Sequence, residues 1–267
     1  PFEAEALLKK ERSKIKNPRN FEEKAVSLIG LGLYETLIKN YTVKQWGTDP
    51  KNLPAEIITR LPVRTNYNDN YYYDIYQGIP VEGYTKLLRK ILTHRNIEVK
   101  TSVDYYDISK KIPKDCKIIF TGTLDKLFGF KYGRLKWRSL KFKWQKINRR
   151  DFQGNAAMHF ADLDVPYTRI HEFKHYYPER KEIFESQKTI ICYEYPADYK
   201  NGREPYYPVN DKENNSLHAK YLYEAGKNKN ITVGGRLGSY RYWDMDKTIE
   251  NSLNAFNSFA DSRYIIK

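Results

Sequence analysis

Cysteine is nearly absent: Cys116 and Cys192 are the only two among 267 residues. Two isolated cysteines build neither a disulfide framework nor a cysteine-ligated metal cluster, and their scarcity suits a reducing, cytoplasmic setting. Long apolar runs are absent too. No stretch approaches the roughly 20 apolar residues of a membrane-spanning helix. The opening residues, PFEAEALLKKERSK, are charged where a signal peptide would be apolar. Membrane insertion is therefore not expected. There is no internal repeat and no low-complexity linker. The net charge of +14 is spread along the chain instead of gathered in one run, which argues against nucleic-acid binding and leaves a lysine-rich solvated surface or a small phosphorylated partner as the readings of the charge. The sequence opens on Pro1, not methionine, and is expected to lack its own beginning.

Tyrosine is abundant, with 24 residues. Each offers a flat face for stacking a base and a hydroxyl for a phosphate oxygen, although many will be half-buried strand residues. Periodicity predicts an amphipathic helix over 1–16. A second helix should start at Asn20, with Glu23 as its capping-box partner, and carry Ala25, Leu28, Ile29, Leu33, Leu37 and Ile38. Residues 65–76 read as strand or loop, 83–92 as helix, and 97–99 and 118–120 as short strands. Leu140, Phe142 and Trp144 alternate with lysines, the pattern of a sheet with one wet face. Strands should follow within 153–160, 167–174 and 188–194. Ile231–Val233 then runs into Gly234-Gly235-Arg236, and a last helix shows Ile249, Leu253, Phe256 and Ala260 on one face. Helices, a mostly antiparallel sheet and a strand–glycine–helix ending give a mixed α/β and α+β fold.

Two motifs imitate functional signatures. His171-Glu172-Phe173-Lys174-His175 matches HExxH. The zinc-binding form needs a helix, and the aromatic, proline-bounded surroundings argue strand, in which four residues span about 13 Å. No metal is expected. Gly30-Leu31-Gly32 imitates a dinucleotide-binding turn, but Glu35 stands at the third glycine position and would repel a pyrophosphate. It reads as a break between helices.

Six other segments combine aromatic, arginine and glycine residues: Tyr41–Gly47 (YTVKQWG), Leu53–Arg64, Tyr71 followed by YQGIPVEGYTKL, Val165–Arg169 (VPYTR), Glu204–Asp211 (EPYYPVND) and Gly234–Asp246 (GGRLGSYRYWDMD). Each alone has a plain structural explanation. Together they supply what a nucleoside diphosphate sugar requires: aromatic faces for a uracil, arginines for bidentate contacts to two phosphates, and hydroxyl donors for the remaining oxygens.

In this order the segments resemble UDP-galactopyranose mutase, from about Phe21 to the C-terminal helix. The resemblance implies a flavoenzyme, an isomerase that interconverts UDP-galactopyranose and UDP-galactofuranose for surface polysaccharide. It acts through an adduct between the sugar and N5 of reduced FAD, without net redox change. It implies that Tyr41 stacks on uracil and that Trp46 lines the uridine and sugar side. Arg60, on a mobile loop near 48–64, and Arg169 would hold the diphosphate as the catalytic pair. Tyr71, Tyr207 and Tyr242 would donate hydroxyls to phosphates, Asp244 would lie near the sugar, and Gly235, Arg236 and the Met245 backbone N–H would face the flavin. His159 stands where relatives often carry asparagine, and Trp243 replaces a frequent tyrosine. Family members begin with a strand, a G-x-G-x-x-G turn and a helix that hold the FAD pyrophosphate, and nothing before Phe21 matches them. The implied division is a helical subdomain (1–61), an antiparallel-sheet substrate subdomain (62–81 and 133–207) and the C-terminal part of a Rossmann-like FAD-binding domain (82–132 and 208–267) whose N-terminal βαβ is missing. A homodimer is implied, since the family often dimerises. An isolated chain of this extent is expected to be inactive, and the alternative is a flavin-free module that binds UDP or a UDP-sugar.

Overall fold

The computed structural model describes residues 1–12, 15–60, 62–68, 70–200 and 203–264, with the side chains of 60 and 259–264 outside the description. In chain order the helices are α1 (Phe2–Glu11), α2 (Phe21–Leu33), α3 (Asn40–Trp46), α4 (Tyr84–Leu92), α5 (Tyr105–Ile108), α6 (Leu124–Leu127), α7 (Lys181–Phe184), α8 (Lys212–Gly226), α9 (Gly235–Gly238) and α10 (Met245–Tyr264). The strands are β1 (Ile118–Phe120), β2 (Trp137–Ile147), β3 (Ala157–His159), β4 (Arg169–Glu172), β5 (Thr189–Asp198), β6 (Tyr207–Pro208) and β7 (Ile231–Val233). The chain divides into two compact units. One comprises Pro1–Ile112 and Lys141–Pro196, the other Pro113–Leu140 and Ala197–Lys267. No helix among the described residues is long and apolar enough to cross a membrane.

The first unit opens with the expected helices. Asn20 caps α2, its side chain accepting from the Glu23 N–H at 2.9 Å. The return bond of the capping box is displaced by one residue: the Glu23 carboxylate accepts from the Arg19 N–H at 2.8 Å. Gly30 kinks α2 with φ of 79°. A Cβ there would lie 2.8 Å from both the Cβ and the backbone oxygen of Glu11. Only glycine permits that conformation and that approach of α1. The GxG is a helix break, as its sequence context suggested. A single π-helical segment, Tyr34–Lys39, then leads into α3, which Gly47 ends in the left-handed conformation at φ 65°.

β3, β4 and β5 form an antiparallel array in this unit. His159 pairs with Arg169, and Arg169 with Glu194. The remainder of β2 continues the strand order next to β5. Its lysine alternation set the faces but not their burial: Phe142 and Trp144 remain 42% and 60% exposed. The described residues of 65–76 contain no strand, and 97–99 form none either. That last expectation fails because an apolar pair, Ile97 and Val99, does not make a strand without a neighbour to bond, and both stay exposed.

In the second unit β1 and β7 pair in parallel, with Ile119 opposite Thr232. Alternation turns Phe120 inward, where it is buried, and leaves Ile119 75% exposed. Helix α8 packs against β7. The buried Asp125 carboxylate accepts the Leu135 N–H at 2.9 Å, and Tyr240 lies edge-on to Trp137 with ring centroids 4.9 Å apart. β6 pairs with β2 so that Tyr207 stands opposite Arg138.

Candidate functional site

The candidate residues fall into two groups, one in each unit. In the first unit, the antiparallel register sets His159, Arg169 and Glu194 side by side across β3, β4 and β5. Side chains opposite one another on neighbouring strands share a face. Helix α3 brings Tyr41 onto this row. Its ring stacks on His159 at a centroid distance of 5.6 Å and an interplanar angle of 19°. Arg169 Nε donates to the Tyr41 hydroxyl at 2.9 Å, and its Nη1 lies 3.7 Å from Glu194 Oε2. His171 Nε2 meets the same carboxylate oxygen at 3.1 Å. Burial, reinforced by the positive charge of Arg169, lowers the pKa of His159, so its imidazole is neutral near pH 7 and can donate or accept one hydrogen bond.

Trp46, at the C-terminal end of α3, is buried. Tyr71 is exposed, lies edge-on to Tyr72 at 4.9 Å, and lines an apolar cavity of about 720 Å³ with Leu28, Ile29, Leu37 and Val63. The backbone of Arg60 ends a 3₁₀ helix over Ala55–Arg60. Its side chain, expected on the diphosphate, lies outside the described residues.

The second unit gathers Tyr207, Arg236 and Tyr242. The two rings meet edge-on at 5.1 Å, and the Arg236 guanidinium sits 4.7 Å from the Tyr242 centroid and 5.7 Å from that of Tyr207. Arg236 also donates to the Trp243 carbonyl at 2.7 Å, which holds the planar cation over the two aromatic rings. Asp244 stands at the start of α10, its backbone oxygen accepting from Thr248 N at 3.0 Å, and Met245 opens the helix. Gly235 has φ of 71°, and a Cβ there would lie 3.1 Å from Thr121 Cβ. The positive φ and the close approach of Thr121 together account for a glycine at this strand–helix passage.

HExxH does not form a helical metal site. His171 and Glu172 lie on β4 and point to opposite faces, after which Phe173–Tyr176 turns as a 3₁₀ helix. His171 faces Glu194, whereas His175 Nε2 lies 3.5 Å from Glu172 and 3.3 Å from Asp151. The fully buried Glu172 carboxylate also accepts the backbone N–H groups of Phe152 and Gln153. The extended reading holds for the first two residues, and the turn at Phe173 shortens the distance to the last. Sequence reasoning missed Glu194 and this Asp151–Glu172–His175 group. The sequence offered no signal for Glu194: it lies two residues beyond Cys192 on the same face of β5, and only the structure shows both to be buried. For Asp151 there was none either, because a turn brings it in.

A sequence profile described as UDP-galactopyranose mutase matches residues 36–242, most of the chain. The chain belongs to the UDP-galactopyranose mutase family. It is 41% identical over 264 residues to a probable UDP-galactopyranose mutase of Klebsiella pneumoniae, covering 98% of this chain and 67% of the relative. It is 38% identical over 259 residues to the dTDP-fucopyranose mutase of Escherichia coli, covering 95% and 67%. A UDP-galactopyranose mutase of Mycoplasma pneumoniae is 34% identical over 226 residues, 80% of this chain and 56% of that one. Among solved structures, the crystal structure of a reduced UDP-galactopyranose mutase superposes with a TM-score of 0.55 over 91% of this chain and 68% of the other, at 14% identity. That likeness concerns the fold: a mixed α/β chain with an antiparallel sheet and a small parallel one.

Proposed function

We propose that this chain carries the substrate-recognising part of a mutase that interconverts UDP-galactopyranose and UDP-galactofuranose. The observation that supports it is the packing of Tyr41 on His159 with its hydroxyl on Arg169. An aromatic face beside a guanidinium suits a nucleobase next to its diphosphate. Arg169, with Arg60 from its loop, would stabilise the negative charge that grows on departing UDP. Tyr71, Tyr207 and Tyr242 would donate hydroxyls to phosphate oxygens, Trp46 would line the uridine side, and Asp244 would orient sugar hydroxyls.

By family membership, Gly235, Arg236 and the N–H of Met245 at the start of α10 would be the contacts of a flavin dinucleotide. When bound in reduced form, FAD supplies the nucleophile for the anomeric carbon, and this chain's residues supply position and charge. The three-part division inferred from the sequence, a cytoplasmic location and a homodimer belong to the same reading.

A second reading concerns the substrate. Identity to a dTDP-fucopyranose mutase favours dTDP-fucose as the substrate. Calorimetric titration of the chain with UDP, UDP-galactose and dTDP-fucose separates them. The proposal expects UDP and UDP-galactose to bind at similar strength and dTDP-fucose at least about tenfold more weakly, a difference of about 1.4 kcal/mol. Tighter dTDP-fucose binding would replace the substrate, and binding of none of the three would end the reading.

A further inference from the structure

Lys44 lies one helical turn beyond Tyr41 on α3, so the two side chains leave the same face of the helix. Its ammonium donates to four backbone carbonyls: Phe160 at 2.7 Å, Asp162 at 2.8 Å, and Val165 and Tyr167 each at 3.0 Å. An ammonium has three protons, so at least one of these bonds is shared. All four acceptors belong to the loop that joins β3 to β4. The strands at its two ends carry His159 and Arg169, the two residues that Tyr41 touches. The loop thus folds around a single cation supplied by the neighbouring helix. Backbone carbonyls turned inward in this way need a donor, and bonds to a charged donor are the stronger kind.

We infer that Lys44 is a positioning residue: it clasps the β3–β4 loop to α3 and so sets Tyr41 in register with His159 and Arg169. The inference rests on the reading of that group as the nucleobase and diphosphate half-site. Lys44 acts through its neighbours and touches no reacting atom. Methionine at this position would keep the length and apolar stem but leave four carbonyls without their donor. Arginine would keep the charge, but its planar fork cannot point three donors at a ring of carbonyls around one atom.

The test compares Lys44→Met and Lys44→Arg with the unsubstituted chain by amide hydrogen exchange and by calorimetric titration with UDP. Both variants should retain the far-ultraviolet circular dichroism of the original. Amides within 160–168 should exchange at least about tenfold faster in each, while those of α8 keep their protection. UDP affinity should fall at least about tenfold in each. Lys44→Cys alkylated with 2-bromoethylamine restores an ammonium at nearly the same reach and should recover both properties, with the original chain treated identically as the control for Cys116. Unchanged loop exchange in Lys44→Met would overturn the clasp. Fast exchange with unchanged UDP affinity would reduce Lys44 to a stabilising residue and overturn its positioning role. Should Lys44→Met lose its circular dichroism, Lys44→Arg carries the same two decisions. If the unsubstituted chain does not bind UDP, the ligand reading fails, while the exchange arm still decides whether Lys44 holds the loop.

Discussion

At the scale of single residues, Arg169 has two roles that a substitution can separate. It bonds the Tyr41 hydroxyl, and it stands beside the buried Glu194 carboxylate. Arg169→Ala should weaken UDP binding about tenfold to a hundredfold, the range for losing a hydrogen bond to a charged group, and Arg169→Lys should recover little of it because one ammonium cannot serve both partners. Titration with UDP measures both. Histidine protonation gives a second residue-scale expectation. Burial lowers the pKa of His218, whose Nε2 bonds the Gly238 carbonyl at 2.9 Å, and burial also lowers that of His159. A group whose folded pKa lies below its unfolded value binds fewer protons in the folded state. Stability is then fully present above the unfolded histidine value of about 6.5 and is lost as pH falls through that value toward the lowered one. Urea midpoints should therefore drop between about pH 7 and pH 5, and His218→Gln should flatten that dependence. These roles were unevenly legible. Arg169 and Tyr41 stood out in the sequence through the resemblance of the segments that carry them, YTVKQWG and VPYTR, to the mutases. Glu194 did not, because one acidic residue on a strand looks like any solvated position.

At the scale of elements, the helices of the first unit depend on two local devices. Gly30 combines a positive φ with the contact of α1 at Glu11. Gly30→Ala should cost about 1–3 kcal/mol, combining strain at a glycine-only conformation with a forced shift of α1, and urea unfolding would register it. Asn20→Ala should cost about 1 kcal/mol through loss of the cap on α2. Both devices were visible in the sequence, since a cap and a break are written within a few residues of where they act. Strand burial was less legible. Alternation around Phe142 and Trp144 suggested one wet face, but 141–146 are exposed on both, because what packs on a face decides its exposure. HExxH shows the same limit in reverse: a strand that turns after Glu172 brings His175 back to it, and the turn is not written in the motif.

At the scale of the whole molecule, the parallel pair β1–β7 is distinctive. Parallel sheets are normally covered on both faces, yet Ile119 is 75% exposed. This chain expressed alone should therefore carry no flavin, and the visible absorption spectrum of the purified protein checks it. A flavin band released by denaturation would show that the described turn at Gly235 suffices for binding. The charge of +14 makes a further expectation. UDP affinity should weaken as salt rises from about 50 to about 500 mM, since attraction to an anionic ligand is screened beyond a Debye length that shrinks to a few ångströms.

By itself the sequence determined the local devices, many of the strands, the last helix and the resemblance to the mutases, because caps, glycine breaks and aromatic–arginine segments act over a few residues; it missed the helix α8 (Lys212–Gly226) and expected a strand at 97–99 that does not form. The clasp at Lys44 was beyond it. That contact joins positions 116 to 123 residues apart, and its acceptors are backbone carbonyls, which every residue carries alike. No residue identity encodes them. Only the folding of the β3–β4 loop against α3 gathers them around one ammonium, just as only strand register puts Glu194 beside Arg169.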